Sequence, residues 1–418
     1  MRALDDAVSN VRVVYLIGPR QVGKTTLVRD LYKEARYVTL DDPGVLAVIR
    51  EDPLGQLESL TSDLENVPLV IDEAQRSKEL ALAIKLIVDR NRRKGQFVLT
   101  GSSNAFISND AMDSLAGHLR VLKLWPLTVA EIRTARPNRF LDWASGLLPK
   151  IDQIATPEAL SRADYIDLVL RGGFPEVIEM PMDQRRKYYR ETIGLIIRRD
   201  VADIIAIRKA NRLRQLIDQI AVRTAHELNV SSLASGLGIT RITVDQYLDV
   251  LDRLSLIIRL GAWNSREARR EIKNAKVHLV DTGMAAALRC LRTDSFNAGN
   301  VNAPTFGHLL ETFVFNEILR SLDSQRRDYR LYHWRSPDRR EIDIIVDGVD
   351  TLVGIEVKAS TSVSKSDFKH LKWFGSDEGP GGKRSFTGVV FYLGQHKLTF
   401  GNNLFALPIS TLWSDIEI

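Results

Sequence analysis

One nine-residue stretch limits what this chain folds into more than any other. Gly18-Pro-Arg-Gln-Val-Gly-Lys-Thr-Thr26 follows a short apolar run, Val11 to Ile17, broken only by Arg12. After it, Leu27, Leu31 and Tyr32 recur at helical spacing. An apolar run of that length reads as a strand buried in a parallel sheet. Strand, glycine loop and helix in this order turn successive backbone N–H groups toward a phosphate at a helix N-terminus, where the dipole favours an anion. Gly18 and Gly23 supply the curl, and Gln21, Val22 and Thr26 complete the cradle. Lys24 reaches the β- and γ-phosphates, and the Thr25 hydroxyl is placed to ligate Mg²⁺. The expected ligands are ATP and Mg²⁺, held by a P-loop α/β domain.

Two later segments fit that expectation. Pro68 to Ile71 is an apolar strand ending in Asp72-Glu73. There Asp72 would help hold Mg²⁺, and Glu73 would polarise the attacking water as a general base. A third strand, Gln96 to Thr100, ends in Gly101-Ser-Ser-Asn104. Asn104 is the favoured sensor of the γ-phosphate, and a capped turn is the other reading of this stretch.

The segments GPRQVGKTT, LVIDEAQ, LTGSSN and LAGHLRVLKLWPLT resemble a group of prokaryotic AAA-type ATPases that carry a C-terminal domain of unknown function. The resemblance implies ATP hydrolysis and self-association, since AAA-type domains commonly act as rings. It also implies an arginine finger after an Ala-Gly pair. Here Ala116-Gly117 is followed by His118, and the nearest arginine is Arg120, which leaves the finger unassigned and argues against rapid hydrolysis.

The middle of the chain joins helices through Gly172-Gly173-Phe-Pro175-Glu176. From Arg185 to Lys209 eight basic residues stand against three acids. Such a run is either a solvated helix face or a track for nucleic acid. Farther on, Ala234 is small where two helices would cross, Gly238 permits a tight turn, and Val244 would bury the second helix, the spacing of a helix-turn-helix. Thr240 suits the N-cap, and Arg241, Thr243 and Tyr247 are the side chains expected to face a DNA groove. Ile257 to Leu260 and Lys276 to Val280 read as strands of a wing whose loop carries Arg266, Arg269, Arg270 and Lys273, with Lys276 at its edge. Arg269 and Arg270 are its expected DNA contacts. Asp245, Asp249 and Asp252 crowd the second helix, so a winged helix used for domain packing stays open beside one that binds DNA.

In the last third, Glu311, Phe315 and Ile318 share one face of a helix. Asp343 lies on one face of the strand Glu341 to Val346, and Glu356 and Lys358 alternate with Val353, Ile355 and Val357 on the next. A helical glutamate followed by Asp…Glu-x-Lys resembles the restriction-endonuclease-like core. That resemblance implies Mg²⁺ on Glu311, Asp343 and Glu356, with Lys358 positioning or deprotonating a water. Val280-Asp281-Thr-Gly283, Gly307-His-Leu-Leu-Glu311, Trp334-Arg335 and Ile355-Glu-Val-Lys358 match the C-terminal domain of the same ATPase group. An active nuclease and a nuclease-like fold without activity are both open.

The expected fold class is therefore α/β and multidomain. It comprises an AAA-type P-loop domain over 1–150, a helical lid over 151–210, a winged helix-turn-helix over 211–280 and a restriction-endonuclease-like α/β domain over 281–418. With 418 residues, 44% hydrophobic and 27% charged, a disordered or collagen-like chain is excluded. No apolar run approaches a membrane span, and MRALDDAVSN holds no apolar signal core. The lone Cys290 forms no internal disulfide, which suits a reducing cytoplasm. A net charge of +5 permits a polyanionic partner. The expected partners are nucleic acid, DNA foremost, and further copies of the chain, with a protein partner as the alternative and no membrane. The two functions carried forward are an ATPase controlling a DNA-directed half with Mg²⁺-dependent nuclease activity, and a slow nucleotide switch whose C-terminal domain only binds.

Overall fold

The computed structural model describes residues 2–101, 115, 117–135, 139–146, 157–204, 210–265, 275–296, 303–322 and 328–414. The chain divides into two compact units. One is Met1–Trp125 with the short segment Arg253–Leu256, the other Pro126–Asp252 with Ile257–Ile418.

The first unit is a five-stranded sheet. Its strands are β1 (Val13–Ile17), β2 (Arg36–Thr39), β3 (Leu69–Asp72), β4 (Phe97–Gly101) and β5 (Leu119–Lys123), in the order β2-β3-β4-β1-β5. All neighbours are parallel, with Tyr15 opposite Leu99 and Thr39 opposite Asp72. Alternation along the strands sorts their side chains into two cores. Val13, Tyr15, Ile71 and Leu99 face one layer with Leu80 and Ile84 of the helix Leu80–Arg90. Val14, Leu16, Val70 and Val98 face the other with Val28 of the helix Lys24–Leu31. β1, flanked by β4 and β5, hands the chain to the glycine loop that leads into the helix Lys24–Leu31 at its C-terminal end, and β3 ends on Asp72 beside it. The crevice at the carboxyl ends of parallel strands is where open α/β sheets bind ligands.

The second unit holds two sheets. Strands β6 (His226–Glu227), β7 (Ile257–Leu260) and β8 (Lys276–Leu279) form an antiparallel sheet in the order β6-β8-β7. Between β6 and β7 run the helices Val230–Leu237 and Arg241–Arg253, which are joined through Gly238 at φ +62°. The larger sheet contains β9 (Arg330–Arg335), β10 (Glu341–Asp347), β11 (Thr351–Lys358), β12 (Ser385–Tyr392), β13 (Leu398–Thr399) and β14 (Leu404–Pro408), in the order β13-β14-β12-β11-β10-β9. It is mixed: β9, β10 and β11 run antiparallel, while β11, β12 and β14 are parallel. Ile342, Ile345, Leu352 and Val390 pack with Phe374 on one face, and the helix Ala303–Leu322 packs on β11.

Asp281 ties this unit together. It is fully buried, caps the helix Thr282–Leu288 through the Met284 N–H, and accepts from the Gly173 N–H at 2.7 Å and the Tyr189 hydroxyl at 2.9 Å. A Cβ on Gly172 would run into the Asp281 carboxylate, and one on Gly283 into the Arg171 carbonyl. The Gly172-Gly173 turn and the Asp281–Gly283 stretch are thus two halves of one close contact. No helix among the described residues is long and apolar enough to cross a membrane.

Candidate functional site

The glycine loop has the backbone its sequence calls for. Gly18 stands at φ +152°, where a side chain would also meet the Leu124 carbonyl, and Gln21 and Gly23 stand at φ +64° and +91°. Val22 is buried, so only its backbone is available to a ligand, while Gln21 and Thr26 are exposed at the rim. Lys24 is buried, and its Nζ donates to the carbonyl oxygens of Gly18 at 3.0 Å and Pro19 at 2.8 Å. The Thr25 hydroxyl lies 3.1 and 3.3 Å from the two Asp72 carboxylate oxygens. Asp72 also accepts from the hydroxyls of Tyr37 and Thr100. Neither of those two was expected from sequence. Thr100 was legible as the last polar side chain of a strand beside β3, whereas Tyr37 carries no local signal. Glu73, at φ +56°, accepts a hydrogen bond from Gln75. Burial raises its pKa, opposed by Arg20 and Lys24. Asn104 lies outside the described residues.

A threonine hydroxyl against an aspartate, at the end of a loop that presents N–H groups, fits Mg²⁺ and a nucleotide phosphate. Mg²⁺ keeps several waters and takes only one or two carboxylates with substrate phosphates, so a larger acid cluster is not required. Near the finger position, His118 pairs with Asp89 at 3.0 Å and Arg120 with Asp6 at 3.1 Å.

The second cluster assembles around a residue that sequence reasoning placed elsewhere. Lys276, read as the edge of a wing, is 2% exposed. Its Nζ lies 2.8 Å from Glu311 Oε1, 2.8 Å from Glu341 Oε1 and 3.4 Å from Asp343 Oδ1. The physical reason is alternation on β8, which turns Lys276 and His278 to the same side. His278 stacks on Phe315 at 4.2 Å and bonds Thr312, both on the helix that carries Glu311. The second Asp343 oxygen accepts from the Val357 N–H at 2.9 Å, and Lys358 Nζ lies 3.2 Å from Glu356 Oε2. Burial first, then Asp343, pushes Glu311 up to about 8 against the pull of Lys276. The same two causes raise Glu356 well above the carboxylate range despite Lys358. Glu356 Oε1 is buried without a hydrogen-bond partner among the described residues, a cost that protonation of the carboxyl lowers. Burial disfavours the Lys276 charge, yet Glu311, Asp343 and Glu341 outweigh it and raise its pKa.

Glu311, Asp343, Glu356 and Lys358 are thus brought together, but their arrangement does not fit a metal centre. Among the described residues no group of three or more His, Cys, Asp and Glu side chains is placed to hold a metal ion. An ammonium already takes two of the three expected ligands.

The expected groove-facing side chains divide. Arg241 is exposed and Thr243 half-buried, with its N–H and hydroxyl both bonded to the Thr240 hydroxyl. Tyr247 is buried, which corrects its assignment to a groove. It falls on the stripe Val244, Leu248 and Leu251 that packs the helix inward. Arg269 and Arg270 lie outside the described residues. Two of the crowding acids, Asp249 and Asp252, are each 2.9 Å from Arg259 on β7. Along the helix Met182–Ile204, a cavity of about 900 Å³ is lined by Arg186, Lys187, Arg190, Gly194, Arg198 and Arg214, with Asp183 and Glu191 also present.

Comparison with known proteins places part of this chain. Residues 10–133 match the family model of an AAA domain. Residues 162–295 and 306–412 match two models described as Domain of unknown function (DUF8612) and Domain of unknown function (DUF4143). An uncharacterized protein of Mycobacterium tuberculosis is 27% identical over 86% of this chain and 73% of its own length. One from Haemophilus influenzae is 24% identical over 72% and 68%. Among solved structures, a Walker-type ATPase of Pyrococcus abyssi is similar with a TM-score of 0.41 and 15% identity, over 69% of this chain and 94% of that one. The Holliday junction branch migration motor of Thermotoga maritima follows with a TM-score of 0.29 and 18% identity, over 66% and 90%. The family match over residues 10–133, with the glycine loop, Thr25 and Asp72 in place, makes the N-terminal unit similar to an AAA domain.

Proposed function

We propose that this chain binds and hydrolyses ATP in its N-terminal unit and uses nucleotide state to control engagement of nucleic acid, DNA foremost, by its second unit. In the first, Thr25 and Asp72 would hold Mg²⁺, which neutralises charge developing on the phosphates, while the loop N–H groups and Lys24 cradle them. Glu73 orients the attacking water. Further copies of the chain are the expected assembly partners, as in AAA-type rings.

The observation that carries the nucleic-acid reading is the arginine-lined cavity along Met182–Ile204. Its acids are already engaged: Asp183 lies 3.2 Å from Arg292 and 3.7 Å from Arg186, and Glu191 lies 3.9 Å from Lys187. Gly194 carries no side chain, and the guanidinium groups of Arg198 and Arg214 come within 3.6 and 3.9 Å of where its Cβ would stand. Two guanidinium groups converging on one point suit a phosphodiester, which accepts bidentate hydrogen bonds. We read the helices Val230–Leu237 and Arg241–Arg253 with the β6-β8-β7 sheet as a winged helix-turn-helix, in which Arg259 neutralises acids that would repel DNA. We read the mixed six-stranded sheet with Ala303–Leu322 as a restriction-endonuclease-like core. The ammonium within its acids favours the reading in which this unit binds without cleaving.

Binding of a fluorescent DNA duplex across a salt series, with and without ATP, tests the proposal. Affinity should fall steeply with salt, and Arg198→Ala with Arg214→Ala should flatten that slope by about two phosphates. Salt-independent binding, or an unchanged slope in the double variant, sinks it.

A further inference from the structure

We propose that Lys276 is a resident cation standing where a divalent metal would sit among the C-terminal acids, so that this cluster takes no Mg²⁺ and serves as a clasp between the β6-β8-β7 sheet and the α/β core. The inference is independent of the nucleic-acid reading, because it concerns only what fills the acid cluster.

Four observations carry it. The Lys276 ammonium touches carboxylates from two elements, Glu311 on the helix Ala303–Leu322 and Glu341 and Asp343 on β10. A hard divalent ion would seek these same oxygens. Two further oxygens are also engaged: Asp343 Oδ2 takes the Val357 N–H, and Glu356 Oε2 takes Lys358, whose ammonium is therefore directed at a carboxylate. The strand that delivers Lys276 is fastened along its length. His278 bonds Thr312 at 3.1 Å, the Leu279 N–H donates to Thr224, and the Leu279 carbonyl accepts from Asn316 at 3.2 Å. Thr224 and Thr312 in turn lie 2.9 Å apart, hydroxyl to hydroxyl. Lys276 is thus built in as part of a three-point attachment of β8 to the helix that bears Glu311. Its stem is buried, and its charge neutralises acids that could not be buried together otherwise.

The consequence is a site with the acids of a metal-dependent nuclease and no place for the metal. Removing the ammonium while keeping the stem's volume should reverse this. Mn²⁺, a paramagnetic probe for hard oxygen sites, is titrated into the full chain without nucleotide and followed by electron paramagnetic resonance. The wild type should show an isotherm that Asp343→Asn leaves unchanged. Lys276→Met should gain one Mn²⁺ site at least tenfold tighter than any in the wild type, and a second substitution, Asp343→Asn, should abolish it. Lys276→Arg, which keeps the charge, should gain none. If wild-type Mn²⁺ binding is lost on Asp343→Asn, the cluster is a metal site and the proposal falls. That arm needs no change at Lys276 and decides the question even where Lys276→Met fails to fold. A folded Lys276→Met that gains no Mn²⁺ overturns it equally.

Discussion

The two lysine–acid sites of this protein are built from similar side chains toward opposite ends. At the glycine loop, Lys24 donates to two backbone carbonyls and Asp72 accepts from three hydroxyls, of Thr25, Tyr37 and Thr100. These hydroxyls and carbonyls carry no net charge, and they fix each group in position. In the C-terminal cluster, Lys276 meets Glu311, Glu341 and Asp343 directly, and Lys358 meets Glu356. There the charges are spent on one another. A lysine held by dipoles prepares a site, whereas a buried lysine held by carboxylates completes a core.

The sharpest way to break this contrast is to truncate both lysines. Breaking a buried ion pair by removing one partner costs about 3–5 kcal/mol, because the remaining charges stay buried and uncompensated. Lys276→Ala should therefore destabilise the second unit by about that amount in urea unfolding. Lys358→Ala, at a site 36% exposed by its side chain, should cost less than about 1 kcal/mol. Comparable losses at the two positions would show that the Lys276 cluster is not a keystone.

Lys24→Ala should behave in the opposite sense. The unfolding midpoint should shift little, while ATP affinity falls about 100-fold, the scale of a lost hydrogen bond to a charged group at its upper range. Isothermal titration with ATP and Mg²⁺ measures it. Unchanged affinity would remove the foundation of the ATPase reading, and a large loss of stability would erase the distinction between the two sites.

How much of each site the sequence disclosed follows from the same contrast. The glycine loop is contiguous, and its geometry is local: turn glycines, a strand before and a helix after suffice to place Gly18, Gly23, Lys24 and Thr25. Asp72 was legible as the end of an apolar strand. Of the hydroxyls that hold it, Thr100 carries a signal only as the last polar side chain of its strand, and Tyr37 carries none, because both reach Asp72 through the strand order β2-β3-β4. Lys276 was misplaced for a stronger version of this reason. Its partners lie 35, 65 and 67 positions farther along the chain, and in sequence it sits beside a run of basic residues that suggested a solvent-facing wing. Tyr247 differs for another reason: its helical phase with Val244 and Leu251 turns it inward, although it lies on the helix expected to enter a groove. The acids Glu311, Asp343, Glu356 and the lysine Lys358 were found together as expected, but the pattern that located them says nothing of the cation between them.

A pH titration sharpens the comparison further. Burial, with Asp343, pushes Glu311 from its ordinary 4.5 up to about 8 against Lys276. A carboxyl whose pKa is raised on folding binds more protons in the folded than in the unfolded state between those two values. Stability must then fall as pH rises across the window from about 4.5 to 8. The loss from this group should be on the order of 3–4 kcal/mol, read from urea midpoints at pH 5 and pH 8. Glu311→Gln, which cannot ionise, should flatten that slope. A wild type whose stability rises over this range, or a Gln variant with an undiminished slope, would mean that Glu311 is held charged by Lys276 throughout.

The smallest effect concerns whether the glycine-loop site is complete within one chain. Arg120 is paired with Asp6 at 3.1 Å, with side chains 46% and 61% exposed, and such surface pairs contribute about 0–1 kcal/mol. Arg120→Ala should therefore leave the unfolding midpoint nearly unchanged. If Arg120 serves only that pair, steady-state ATP turnover should stay within about twofold of wild type, a difference of roughly 0.4 kcal/mol in the barrier. A loss of turnover greater than about tenfold, with stability preserved, would assign Arg120 to the nucleotide of a neighbouring copy. Turnover rescued by mixing Arg120→Ala with Lys24→Ala chains would strengthen that assignment, since each would supply what the other lacks. The contrast between the sites would then change in kind. A cluster closed within one chain would stand against a site that needs two, and hydrolysis would depend on assembly as well as on the loop.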